Sequence, residues 1–77
     1  MAEEQELEVT APFAGVVVAI PHGSRTRVGE GTAVVVLEAM KMEHDVLAGA
    51  EGVVAGLAVA VGDAVEEGQL LLTLAPG

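Results

Sequence analysis

Short apolar runs alternate with turn residues along the whole chain. The runs are rich in valine and leucine, are bounded by glycine, proline or charged residues, and cover residues 16–20, 33–37, 53–61 and 70–74. Their short length and their enrichment in β-branched residues favour strands over helices. None approaches the ~20 apolar residues of a membrane-spanning helix. The pattern predicts an all-β protein of short strands.

An ungapped internal repeat with a shift of 37 residues is the strongest organisational signal. Over residues 9–38, nine positions are identical to their counterparts in the second half. The pairs are Val9/Val46, Ala11/Ala48, Gly15/Gly52, Val16/Val53, Val17/Val54, Val28/Val65, Glu30/Glu67, Gly31/Gly68 and Leu37/Leu74. Because neither half can bury its own apolar face, we expect a flattened barrel or sandwich of two four-stranded antiparallel sheets with pseudo-twofold symmetry.

The turns of the two halves differ at one position. Residues 62–68 read as a tight connection with Gly62 and Gly68 at its ends, where a chain that reverses direction needs positive φ. Arg25 stands at the position equivalent to Gly62. We therefore expect the first-half turn to be built differently, with Gly23 and Ser24.

The link between the halves breaks the local rules. Residues 38–43 are all good helix formers, but an isolated helix needs ~12–15 residues and the flanking strands leave room only for a hairpin. A two-residue turn at Met40-Lys41 would need positive φ from two non-glycine residues, at about 1 kcal/mol or more each. Such a departure predicts a functional position. The twofold places this tip opposite the termini.

Composition and charge narrow the classes of partner. Twelve acidic residues against three basic ones give a formal charge of −9, which repels nucleic acid and anionic membranes. One aromatic residue and no cysteine argue against an aromatic-lined pocket, a disulfide or a thiolate metal site. The acidic N-terminus does not resemble a secretory signal. We expect a monomeric, cytoplasmic domain over residues 7–75, preceded by a disordered acidic segment over residues 1–6.

Lys41 is the only lysine of the chain and lies at the predicted tip. On position alone it would be an ordinary exposed turn lysine. Met40 and Met42 beside it are either exposed thioethers suited to adaptable contacts or gap-fillers of the core. No nucleophile–base pair, phosphate-binding loop or metal-ligand pattern is present, so we predict neither a catalytic residue nor a metal site.

Residues Glu38-Ala39-Met40-Lys41-Met42 resemble the E-A-M-K-M attachment motif of biotin carboxyl carrier domains. Residues 9–15 resemble the opening V-x-A-P-x-x-G of that family, and residues 62–68 resemble its G-D-x-V-x-x-G, so the resemblance covers roughly residues 7–75. Three departures from the family pattern fall in turns that we expect to lie far from the lysine. They are Phe13-Ala14 for Met-Pro, Gly49 for Pro, and Arg25 for Gly.

The resemblance implies that biotin protein ligase joins biotin to the Lys41 amine, with Glu38, Ala39, Met40 and Met42 as flanking recognition residues. A biotin carboxylase would load the biotin with a carboxyl group, and a carboxyltransferase would pass that group to an acyl-CoA or an oxo acid. The domain would be a non-catalytic swinging arm that raises the effective concentration of the group it carries.

Two alternatives stay open. A lipoyl carrier of a 2-oxo acid dehydrogenase-type complex shares the fold, although lipoyl domains present Asp-Lys-Ala around the modified lysine, and Lys41 lies between two methionines. An unmodified interaction module would leave Lys41 inert.

The chain has no added segment between Ile20 and Thr26. In this it resembles the thumb-less carriers of propionyl-CoA, methylcrotonyl-CoA or pyruvate carboxylase type.

Overall fold

Residues 6–76 are described in a computed structural model of the chain, and they form eight strands. The strands are β1 (Leu7–Thr10), β2 (Gly15–Ala19), β3 (Arg27–Val28), β4 (Ala33–Ala39), β5 (Met42–Leu47), β6 (Gly52–Leu57), β7 (Ala64–Val65) and β8 (Leu70–Ala75). They pair antiparallel in two four-stranded sheets, in the orders β1-β8-β6-β3 and β5-β4-β2-β7. This confirms the predicted fold class. Most of the predicted disordered segment, residues 1–5, lies outside the described residues.

The two sheets are copies of one pattern. A shift of 37 residues carries β1, β2, β3 and β4 onto β5, β6, β7 and β8, so that it converts the strand order of the first sheet into that of the second. Backbone hydrogen bonds in the connections follow the same rule. Val17 N–H donates to the Asp63 carbonyl at 2.9 Å, and Val54 N–H donates to the Thr26 carbonyl at 2.9 Å. The repeat in the sequence is therefore a pseudo-twofold of the structure.

A core of small and medium-sized apolar side chains fills the space between the sheets. Its members are the equivalent pairs Val9/Val46, Ala11/Ala48, Val17/Val54, Val28/Val65, Val34/Leu71, Val35/Leu72 and Leu37/Leu74, together with Val59. Within the described part of the chain no polar or charged residue is buried. The sandwich is therefore held together by apolar packing and by the strand ladders.

The predicted strand over residues 53–61 is too long. β6 ends at Leu57 because the chain leaves its sheet there. Ala58 N–H still donates to the Leu71 carbonyl at 2.9 Å, but Gly62 N–H donates to the Val17 carbonyl at 2.7 Å, and Val17 belongs to the opposite sheet. Between these two points only Val59 is buried against the core, while Ala60 and Val61 are exposed, so this segment connects the sheets instead of extending a ladder.

The expectation that the Arg25 turn is built differently from the Gly62 turn is wrong. Arg25 adopts φ of 70° and Gly62 adopts φ of 99°. Arg25 N–H donates to the Val54 carbonyl at 2.6 Å, and this bond matches the one from Gly62 to Val17. The cross-sheet hydrogen bond thus fixes the backbone conformation, and arginine adopts it where glycine would do so without strain.

The molecule is elongated and measures 45 × 19 × 18 Å, and the tip of the β4–β5 hairpin lies at the end opposite Leu7 and Leu74. The chain enters the sandwich where Leu7 pairs with Leu74. Beyond β1 it crosses to the hairpin, where the Phe13 ring meets the His44 ring of β5. The described residues include no helix that is long and apolar enough to cross a membrane.

Candidate functional site

The candidate site is the turn that joins β4 to β5. The ladder between these strands ends with the pair Ala39↔Met42, which leaves Met40 and Lys41 as a two-residue connection. Met40 has φ of 52° and Lys41 has φ of 65°. Positive φ at both central positions is the signature of a type I′ turn, which suits the twist of a hairpin but normally selects asparagine and glycine. The predicted strained turn is therefore confirmed.

The side chains of this turn are open to solvent. Met40 is 89% exposed and Met42 is 62% exposed, so neither fills a gap in the core. Lys41 is exposed as well, and within residues 6–76 it takes part in no ion pair. An aliphatic stem that ends in an accessible primary amine thus projects from the tip, with a thioether on either side in sequence.

Glu38 and Glu43 face each other across the two strands of the hairpin. They are directly paired and both are exposed. Like charges in this arrangement repel each other, although solvent screens much of the effect. Ala39, one position nearer the tip, is half-buried and pairs with Met42. The predicted flanking residues therefore surround the base of the turn, with the two glutamates on one face of the hairpin.

The β1–β2 connection and the first residue of β2 contact the two strands of the hairpin. A Cβ atom added at Gly15 would lie 2.7 Å from the carbonyl oxygen of Glu38, so the two backbones approach too closely for any side chain there. The Phe13 ring packs edge-on against the His44 ring, with centroids 4.8 Å apart and an interplanar angle of 75°. Gly15, the first residue of β2, and Phe13, in the β1–β2 connection, thus contact the two strands that carry the tip.

Phe13 corrects one sequence-based expectation. The three departures from the family pattern do not all lie far from the lysine, because Phe13 contacts a residue three positions beyond Lys41. In the sequence, Phe13 stands out only as the single Phe, Tyr or Trp residue of the chain. Alternation along β5 alone gives no indication that His44 meets a residue of the first connection.

The chemistry open to this site is narrow. Among residues 6–76, no group of three or more His, Cys, Asp or Glu side chains could hold a metal ion. The Lys41 amine can act as a nucleophile toward an activated acyl group that another protein supplies. The site is suited to being modified and to carrying what has been attached.

Sequence comparison connects this geometry with known proteins. The sequence pattern of the family described as "Biotin-requiring enzyme" matches residues 22–74, which include the whole hairpin. The chain is 50% identical over 66 residues to the methylcrotonoyl-CoA carboxylase subunit alpha, mitochondrial, of Glycine max, a match that covers 86% of the chain and 9% of the relative. It spans about a tenth of that relative's length.

Other relatives are of similar length to the chain. The biotin carboxyl carrier protein of acetyl-CoA carboxylase of Solanum lycopersicum is 47% identical, and the match covers 86% of the chain and 94% of the relative. The biotinylated protein TB7.3 homolog of Mycobacterium leprae (strain TN) is 39% identical, and the match covers 96% of the chain and 99% of the relative.

Solved structures share the fold. A single-chain, multi-domain long-chain acyl-CoA carboxylase superimposes with a TM-score of 0.88 at 31% identity, which covers all of this chain and 8% of that one. The urea carboxylase of Kluyveromyces lactis superimposes with a TM-score of 0.87 at 26% identity, covering 96% of this chain and 6% of that one.

Proposed function

Since this chain belongs to the biotin/lipoyl attachment domain family, and its relatives are biotin carboxyl carrier domains of biotin-dependent carboxylases, we propose that biotin is attached to it at Lys41. The observation that carries the proposal is the position of this residue. The only lysine of the chain is exposed on a strained two-residue turn, between two exposed methionines.

The hairpin fits the group it is proposed to carry. Biotin joined through an amide to the ε-amine would extend from the far end of the sandwich, where the neighbouring side chains are exposed and leave the arm free to move. No described residue near Lys41 needs to be displaced, because the amine has no ion-pair partner within residues 6–76. Attachment thus changes the tip and leaves the framework as it is.

The residues of this chain take a limited part in the attachment step. The Lys41 ammonium would first give up a proton, and the neutral amine would attack the acyl carbon of a biotinyl adenylate held by biotin protein ligase. A C–N amide bond would form, the acyl–phosphate bond would break, AMP would leave, and the nitrogen would give up a second proton. The positive charge of Lys41 is lost. Exposed Glu38, Met40 and Met42 provide the surface that the ligase would recognise around the amine.

After attachment the domain would act as a carrier and not as a catalyst. When attached to Lys41, biotin would supply the group on which a carboxyl group is carried from one enzyme site to another. The hairpin presents the tethered arm, and the tether makes both encounters effectively intramolecular. Biotin carboxylase and carboxyltransferase are the proposed partners, an acyl-CoA or oxo acid carboxylase is the proposed complex, and a cytoplasmic location and a monomeric domain remain part of the proposal.

Intact-mass measurement after co-expression with a biotin ligase tests the attachment. One added biotinyl group, mapped by peptide mass to Lys41, is the expected result. A parallel incubation with lipoate ligase and lipoate serves as the control for the lipoyl alternative. Modification by lipoate ligase alone would overturn the proposal in favour of a lipoyl carrier, and modification by neither enzyme would favour an unmodified interaction module.

A further inference from the structure

The pseudo-twofold provides an internal reference for the surroundings of Lys41. A shift of 37 residues places Ala50 at the position of Phe13, and it relates His44 to Leu7. The contact between the Phe13 and His44 rings therefore has no counterpart in the other half of the sandwich. In the part of the chain that the structure describes, the ring contact occurs only at the end that carries the lysine.

The two rings connect parts of the molecule that the ladders leave unconnected. β5 is an edge strand, so its backbone is hydrogen-bonded to β4 alone. Phe13 lies on the β1–β2 connection and packs partly against the core. A centroid distance of 4.8 Å with an interplanar angle of 75° is a favourable edge-to-face geometry. The contact fastens the outer strand of the hairpin to the body of the sandwich.

The hairpin needs such support. Its tip holds Met40 and Lys41 at positive φ, a conformation that persists only where the surrounding structure determines it. The facing carboxylates of Glu38 and Glu43 oppose the close approach of the two strands. An edge strand held by one ladder would open readily near this turn.

We propose that Phe13 and His44 are positioning residues that hold the Met40-Lys41 turn in the conformation in which Lys41 is presented to the enzyme that modifies it. Neither ring is at the tip, and both act through β5. The first part of the proposal, the ordering of the turn, follows from the fold. The second part, the effect on modification, rests on the proposed function.

Amide hydrogen exchange tests the ordering of the turn without any partner enzyme. The variants Phe13→Leu and His44→Leu place an aliphatic side chain at each position and remove one ring of the pair. We expect the exchange of the Ala39↔Met42 amides to become about two- to tenfold faster in each variant, the change that one edge-to-face ring pair would produce. Exchange in β8, at the centre of the other sheet, should change much less.

Ile20→Ala provides the matched control, because Ile20 also packs partly against the core but does not take part in the ring contact. It should lower the global stability without selectively accelerating exchange at the tip. The ordering role is overturned if both leucine variants leave the tip amides unchanged relative to β8. It is equally overturned if Ile20→Ala accelerates them as much as Phe13→Leu does.

Steady-state biotinylation by biotin ligase tests the effect on modification. A loosened turn must be ordered again when the ligase binds, so Phe13→Leu and His44→Leu should raise KM for the domain about two- to tenfold while kcat stays within about twofold. Phe13→Tyr keeps the ring and should restore the parental KM. An unchanged KM in the leucine variants would overturn this part, whereas a parent chain that is never biotinylated would overturn the proposed function and leave the exchange result standing.

Discussion

Two regions of the molecule share the same framework. One is the hairpin that carries Lys41, and the other is its pseudo-twofold counterpart, where β1 pairs with β8. Gly15 lies against the Glu38 carbonyl at the first, and Gly52 lies against the Ala75 carbonyl at the second. A Cβ atom added at these glycines would lie 2.7 Å and 2.5 Å from the respective oxygens. Leu37 and Leu74 are fully buried at equivalent places. Contacts that the molecule makes twice are those that hold the sandwich together.

The two regions differ in the features that occur once. Only the hairpin has two non-glycine residues in succession at positive φ, and only the hairpin has the ring pair, as far as residues 6–76 show. The turn adds no side chain to the core and its positive φ values cost free energy, whereas Phe13 packs partly against the core. Their presence at one end of a symmetric framework separates the residues of the proposed attachment site from those that stabilise the fold.

Substitution of the paired glycines should have the largest effect and should affect both ends alike. In Gly15→Val and Gly52→Val the new side chain meets a backbone oxygen that cannot rotate away, so each variant should lose about 3 kcal/mol of unfolding free energy. Urea denaturation measures the loss. A large loss for one glycine and none for the other would show that the framework is not energetically symmetric.

Substitutions at the equivalent turn positions Arg25 and Gly62 should change the unfolding free energy by different amounts. Gly62→Ala forces a Cβ into φ of 99° and should lower the unfolding free energy by about 1 kcal/mol. Arg25→Gly relieves a similar strain but adds entropy to the unfolded chain, so its net effect should stay within about 0.5 kcal/mol. Equal losses in both variants, measured by urea denaturation, would mean that the Arg25 side chain stabilises its turn.

The strain in the lysine turn should be measurable as a gain when it is relieved. Asparagine tolerates the left-handed conformation better than methionine and is favoured at the first central position of a type I′ turn. Met40→Asn should therefore raise the unfolding free energy by about 0.5 kcal/mol. Thermal and urea denaturation of the parent and the variant provide the comparison, and a loss of stability would show that the exposed Met40 side chain contributes more than its backbone strain removes.

The smallest effect on stability is expected at the lysine itself. Lys41→Arg keeps the charge and an exposed, flexible side chain, so the unfolding free energy should change by less than about 0.5 kcal/mol. The same variant should accept no biotin in a ligase assay, because the guanidinium does not form the amide. A protein that unfolds on this substitution would place Lys41 among the framework residues.

Much of the distinction between the repeated framework and the lysine hairpin could be predicted from the sequence. The ungapped repeat identifies the framework because glycines at fixed spacing mark turns and close backbone approaches. The turn at Met40-Lys41 is predictable because helix-forming residues stand where only a hairpin fits. Both inferences use patterns that are local or that repeat along the chain.

The features that sequence reasoning missed depend on contacts between distant residues. Arg25, in the β2–β3 connection, adopts positive φ where its N–H donates to the carbonyl of Val54 in β6. The Phe13 ring contacts the His44 ring only because the fold brings the β1–β2 connection next to β5. The end of β6 at Leu57 is set by the crossing between sheets, which interrupts no apolar pattern in the sequence.

The pairing of Leu7 with Leu74 also has a consequence for how the domain can be connected to others. In this fold the chain enters and leaves side by side, at the end remote from the lysine hairpin. A linker attached there can be lengthened, stiffened or fused to a neighbouring protein while the lysine arm still points away from the junction. A linker joined there and a group attached to Lys41 would lie at opposite ends of the sandwich. The length of the linker, the length of the domain and the lysine side chain would then together set how far that group can reach.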